Sequence, residues 1–143
     1  MPIRKAPPPA NASMAVAASA LKAQQARMRV IAENIANAQS TARTAGGDPY
    51  RRRVPVFEPD SKVAAGADGV KIAQVRDDMR DFRTVYDPGN PAADEKGYVK
   101  LPNVDALVEA LDMREAQRAY EANLNVIETA RSMEARTLEI LRK

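Results

Sequence analysis

The sequence predicts an α+β fold, mainly α: long N- and C-terminal helices pairing as a coiled-coil-like hairpin, with a small antiparallel β module between them. Three observations predict it. No Pro or Gly falls between Asn11 and Gln39, or between Asn103 and Lys143, and both stretches carry apolar residues at helical spacing. Between them, Ser, Thr, Gly and Pro separate short runs rich in β-branched and aromatic residues. Aromatics are 4% of the chain and Trp is absent, so apolar content rests on Ala, Val, Leu, Ile and Met, a palette suited to helix–helix packing.

At 143 residues the chain reads as one modest domain in four parts: an arm (1–12), an N-terminal helix (13–39), a β-rich middle module (40–102) and a C-terminal helix (103–143). The arm has Arg4 and Lys5 but no apolar run after them, so it is not a cleavable secretory signal. By ordinary signals the chain reads as cytoplasmic, and export would need another route. Pro7, Pro8 and Pro9 favour an extended, mobile polyproline arm. No window is long enough to span a membrane.

In the first helix Met14, Ala17, Leu21, Met28, Ile31, Ile35 and Ala38 recur in alternating steps of three and four once Gln24 is counted. That is a heptad seam, with Asn11 or Ser13 placed to cap it. The seam is narrow, with Ala and Gln in its second heptad position, so the helix needs a partner. Strand-like runs follow at Tyr50–Phe57, Val70–Val75, Phe82–Tyr86 and Tyr98–Leu101. Turn signals stand at Gly46-Gly47, Glu58-Pro59-Asp60 and Asp68-Gly69. In the last segment Asn103 is the expected cap, after Pro102, with Asp105 in the first turn. Its apolar residues include Leu107, Leu111, Tyr120, Leu124, Ile127, Leu138 and Leu141, with Val126, Met133 and Ile140 as a second row. The stripe is wider than one seam and leaves surface for a further subunit to cover.

The chain has no His and no Cys. That removes zinc-finger ligand sets and Ser/His/Asp or Cys/His catalysis, leaving only Asp, Glu or Lys chemistry. A net charge of +3 is too small to imply a nucleic-acid partner by itself. The dense cluster is Arg51-Arg52-Arg53; on a strand these alternate faces, so a phosphate site competes with a solvated or interface-facing edge.

"YDPGNPAADEKGYVKLPNVD", Tyr86 to Asp105, reads either as a metal or catalytic loop or as a rigid connector. A calcium loop beginning at Asp87 fails, because Gly89 and Pro91 occupy its third and fifth positions. The residues suit a connector: Asp87, Pro88 and Pro91 after the strand, Gly89 and Gly97 at turns, Tyr98, then Pro102 and Asn103 launching the helix. No metal or cofactor is expected.

Four stretches resemble the flagellar axial rod and hook proteins. "NIANAQST" (Asn34–Thr41) is similar to the Asn-rich end of their N-terminal helix, and "RAYEANLNVIETARSMEARTLEILRK" (Arg118–Lys143) to their C-terminal helix. "GGDPYRRRVPVFEP" (Gly46–Pro59) and the Asp-Pro connector resemble the proximal-rod branch of that family, as does a chain too short for large inserted domains. Asn90 departs from the His common there, and the Pro-rich arm is longer than usual.

The resemblance implies a structural subunit rather than an enzyme, exported by the flagellar type III apparatus without signal cleavage. It implies polymerisation through the terminal helices into a rod across the periplasm that transmits torque from the membrane ring to the distal rod and hook. The implied partners are other rod proteins, copies of itself, membrane-ring and rod-base proteins and the export machinery, with no nucleic acid and no membrane span. Expected interface residues are Leu21, Met28, Ile31 and Ile35 in the first helix and Tyr120, Leu124, Ile127 and Leu138 in the second. Packing within the hairpin competes for the same residues. Asn34 and Asn37 are expected at the end of the first helix, bonding free carbonyls or a neighbour. The competing readings are a helical adaptor, a nucleic-acid-binding module using Arg51–Arg53, and an acid–base enzyme for which no spacing speaks.

Overall fold

The chain folds, in a computed structural model, as α1 (Ala10–Ala36), β1 (Arg53–Ala64), β2 (Ala67–Asp77), β3 (Arg83–Tyr86), β4 (Tyr98–Leu101) and α2 (Ala106–Arg142). The structure describes residues 10–142. The expected mobile arm lies outside these except for Ala10, Asn11 and Ala12, which are helical. Asn11 and Ser13 therefore sit inside α1 and do not cap it. The helix ends at Ala36, three residues earlier than the sequence pattern suggested, where the Asn37 side-chain amide and backbone N–H both donate to the Glu33 carbonyl.

The start of α2 also differs from expectation. Asp105 is the cap: its Oδ1 accepts from the N–H groups of Leu107 (3.0 Å) and Val108 (3.4 Å). Asn103 is buried and occupied elsewhere. The 37 residues of α2 contain neither Pro nor Gly and form one helix of about 56 Å at 1.5 Å per residue.

β1 and β2 form a two-stranded sheet joined across Ala65-Gly66, with Gly66 at φ +78°. Such a short connection makes the pair antiparallel. The expected turns at Glu58-Pro59-Asp60 and Asp68-Gly69 are strand residues instead. Pro59 is tolerated because a two-stranded ribbon leaves each strand a free edge. Gly69 is needed for close approach rather than for turning. A Cβ there would lie 2.6 Å from both Ser19 Oγ and Val63 Cγ2. Ser19 uses that proximity, accepting from the Val70 N–H (3.1 Å) and donating to the Val16 carbonyl (2.7 Å).

β3 and β4 pair antiparallel, with Val85 opposite Val99 and Tyr86 opposite Tyr98. The loop between them is held by its own backbone: Asp87 N–H donates to the Gly97 carbonyl (2.9 Å) and Asp94 N–H to the Tyr98 carbonyl (2.9 Å). Asp94 Oδ1 accepts from the N–H groups of Lys96 and Tyr98, so its carboxylate organises the turn. Gly89 has open space around it and no left-handed angle, so the turn does not require glycine there.

The chain divides into two compact units. One comprises the chain up to Ala26, Phe57–Ala73 and Ala116 onward. In it Ser13, Val16 and Ala17 of α1 and Asn123 and Val126 of α2 line a cavity with Ala67 and Asp68 of the hairpin. Its buried apolar residues among those described are Ala12, Ala17, Ala23, Ala116 and Ala130. The other unit, Arg27–Val56 with Gln74–Glu115, buries larger groups: Val30, Ile31, Val99 and Val104. There α1 and α2 run antiparallel, with Arg27 Nη2 3.6 Å from Glu115 Oε2 and Asn34 bonded to Glu109.

The filled space at Gly69 sets a test. Gly69→Ala should lower the unfolding free energy by about 1–3 kcal/mol in urea titrations, as overpacking does. Gly89→Ala should leave it within about 0.5 kcal/mol, as an exposed substitution does.

Candidate assembly site

Two features stand out for function: a buried polar node in the unit that holds Arg27–Val56 and Gln74–Glu115, and large apolar side chains left outside on α2. The node centres on Glu109, whose position in the first turns of α2 makes it fully buried at 0% exposure. Its Oε1 accepts from Arg52 Nε, and its Oε2 accepts more weakly from Asn34 Nδ2 (3.4 Å). Arg52 also reaches Asp78 Oδ2 (3.3 Å) and Asp112 Oδ2 (3.5 Å). Burial works against the Arg52 charge, but Glu109 and Asp78 overcome it and raise the guanidinium pKa above its ordinary value.

Asn34 is the second centre, at 1% exposure. It exchanges two hydrogen bonds with the backbone of Arg53, Nδ2 to the carbonyl (2.9 Å) and N–H to Oδ1 (3.0 Å), and accepts from the Tyr50 hydroxyl (2.7 Å). The expectation that it bonds helix-end carbonyls is thus replaced: its amide holds the entry of β1. Tyr50 has its pKa raised by burial and by the charge of Glu33. Asn103, expected as a cap, instead accepts from Arg52 N–H (2.7 Å) and donates to the carbonyls of Asp78 (2.8 Å) and Arg80 (3.1 Å). Asp78 closes the ring. Its carboxylate takes Arg80 Nη2 at 2.7 Å, and that bond is the leading cause lowering its pKa from 3.8 to about 2.

Two of the three clustered arginines are engaged by this arrangement, and the third is exposed. Arg51 lies over the Phe82 ring, 4.2 Å from its centre, and donates to the carbonyls of Asp78 and Arg80. Arg52 is in the node, and Arg53 faces Glu33 at 3.9 Å.

The residues expected at an interface divide three ways. Ile31 and Asn34 are interior. Leu21, Met28, Asn37, Tyr120 and Ile127 are half-buried. Ile35, Leu124 and Leu138 are exposed, Leu138 by 60%. Leu107 and Leu111 near the start of α2, and Met133, Ile140 and Leu141 near its end, are exposed as well. Sequence reasoning missed the node. Its one available signal was Glu109, a lone acidic residue flanked by Leu107, Val108, Ala110 and Leu111.

Residues 14–43 match the family described as flagella basal body rod protein, and residues 95–140 match the flagellar basal body rod FlgEFG protein C-terminal family. The chain is 47% identical to flagellar basal-body rod protein FlgC of Agrobacterium fabrum, over 94% of this chain and 96% of that one. It is 43% identical to FlgC of Salmonella typhimurium over 87% and 92%, and 40% identical to FlgC of Borreliella burgdorferi over 90% and 95%. The chain belongs to the FlgC family of basal-body rod proteins.

The two terminal matches contain most of α1 and nearly all of α2, and with them Asn34, Asn103 and Glu109. Arg52 and Asp78 lie between the two matches, in the segment that the alignment with the Agrobacterium FlgC spans. The node therefore joins the two family-matched ends of the chain to the segment between them.

Breaking the node from one side leaves a buried charge unpaired. Arg52→Met, which strands the Glu109 carboxylate, should cost about 3–5 kcal/mol in chemical unfolding, while adding Glu109→Leu should recover most of that loss. The Asp78 carboxylate ionises more easily folded than unfolded, so its contribution is complete above the ordinary value of 3.8 and is lost as pH falls through about 2. Unfolding followed across that window should show the decline, and Asp78→Asn should flatten it.

Proposed function

We propose that this chain is a structural subunit of the bacterial flagellar basal body, built into the proximal rod and carrying torque from the membrane ring toward the distal rod and hook. The observation that carries the reading is the unfinished packing of a FlgC-family chain. One unit buries only alanines among its described apolar residues, while Leu138 (60%) and Leu141 (77%) stay exposed on its part of α2. Each such Leu gains about 1.5–3 kcal/mol when covered. Neighbouring subunits are the natural cover, in head-to-tail contacts that do not close on themselves.

The partners of this reading are other rod proteins and further copies, with membrane-ring and rod-base proteins at one end. Export by the flagellar type III apparatus without signal cleavage fits the same feature. A seam of small residues orders weakly before neighbours arrive, which suits passage as an unfolded chain. The reading is structural rather than catalytic, because the node's charged groups are engaged with one another: Glu109 and Asp78 hold Arg52, and Asp78 holds Arg80. Internal use of Arg51 and Arg52 likewise leaves Arg53 as the exposed member of the cluster, too little for the basic patch that a nucleic-acid partner would need there.

Electron microscopy of basal bodies from a strain lacking this gene, beside a complemented control, tests the assignment. Rings without a rod are expected; complete rods and hooks would overturn it. A subtler variant separates assembly from folding. Leu138→Glu with Leu141→Glu should leave monomer stability within about 1 kcal/mol, since both sites are exposed. Swimming and rod assembly should nevertheless be lost in that strain.

A further inference from the structure

The β3–β4 loop carries a feature that the helical contacts do not use. Tyr86 and Tyr98, cross-strand partners, stand 67% and 46% exposed with their ring centres 5.3 Å apart and their planes at 65°. The backbone is shaped around them. Gly97 has φ +87°, and a Cβ there would lie 2.9 Å from the Tyr86 ring and 3.2 Å from Pro88 Cβ. The Tyr86 ring therefore rests on Gly97 and beside Pro88, and any other residue at 97 would displace it.

The loop that joins the two tyrosines is acidic, while Lys100, next on their face of the ribbon, is paired with Asp48. Asp87, Asp94 and Glu95 are exposed, and among the described residues none of them is in an ion pair. Lys96 is the only basic residue in the loop between β3 and β4, so three acids stand against one base. An exposed aromatic pair beside an acidic loop has a definite complement: a proline-rich segment with basic residues beside it. Proline rings pack on aromatic faces, polyproline is already extended and so loses little entropy on docking, and its carbonyls accept from phenol hydroxyls. This chain carries such a segment in Arg4-Lys5-Ala6-Pro7-Pro8-Pro9.

We propose that the Tyr86–Tyr98 platform binds the Arg4–Pro9 segment of a neighbouring copy, with Pro7–Pro9 on the rings and Arg4 and Lys5 beside Asp87, Asp94 and Glu95. The proposal uses the rod reading only in needing copies side by side. It gives assembly a polar, charge-matched contact distinct from the apolar helix surface, and one that weakens with salt.

The test titrates the full-length, isotope-labelled chain with a synthetic peptide of residues 1–12 and follows the tyrosine rings and glycine amides by NMR. Saturable shifts are expected at Tyr86, Tyr98 and Gly97, and not at Tyr50 or Tyr120. A peptide with Pro7, Pro8 and Pro9 replaced by Ala should bind roughly ten-fold more weakly, as loss of an anchor does. Glu95→Lys, on an exposed side chain, should weaken binding several-fold without altering the fold. Absence of saturable shifts, or equal binding by the Ala peptide, would overturn the proposal. So would a Tyr86 shift on deleting residues 1–9 that is independent of chain concentration, because the segment would then occupy its own copy's platform. Failure here in a strain that still builds rods removes the arm contact and leaves the rod assignment standing.

Discussion

A buried carboxylate fixes one half of this molecule. Glu109 has no access to water, so its charge is tolerable only while Arg52 stands against it. Arg52 in turn is held by Asp78 and Asp112, and its backbone N–H by Asn103. Asn34 completes the set by clamping the backbone of Arg53. Residues from the end of α1, the entry of β1, the exit of β2 and the start of α2 thus depend on a single charge pair. A partly formed version leaves a polar group buried and unpaired, which costs more than an apolar gap would. That asymmetry makes the unit close as a whole or not at all.

The second unit is built on the opposite principle. Its described buried apolar residues are alanines, and each contributes little more than a methyl group, about 0.8 kcal/mol per carbon buried. Small side chains bring helix backbones close without generating much stability. Meanwhile every described side chain from Arg131 onward is exposed. Met133, Leu138, Ile140 and Leu141, all large apolar side chains, face outward there. A core of methyl groups inside and leucines outside is inverted for a chain meant to stand alone.

How far this was legible in the sequence depends on the kind of signal. Both long helices could be read because Pro and Gly are absent and the apolar period persists for many turns. The hairpin turn was misplaced, because Asp68-Gly69 carries the commonest turn dipeptide. Its glycine answers to Ser19, some fifty residues away, which no local pattern encodes. Asn103 misled for a related reason: an Asn after Pro looks like a cap, yet Asp105 does that work while Asn103 bonds across the fold. The exposed seam was legible as a stripe too wide for one partner helix. The node was not, because its members sit far apart in sequence and are ordinary surface residues until folding brings them together.

These two halves divide the labour of an assembling subunit. A node of specific hydrogen bonds has one satisfactory geometry and needs nothing from outside the chain, so it can form before any neighbour is present. An alanine seam flanked by exposed leucines has little to choose between arrangements until another surface covers it. The polar network supplies identity, and the apolar surface supplies association energy. Placing the network at the start of α2, rather than along it, leaves the remaining turns of that helix free of buried charge. Those turns can then be packed by whatever apolar face the assembly presents, without exposing or stranding an ion.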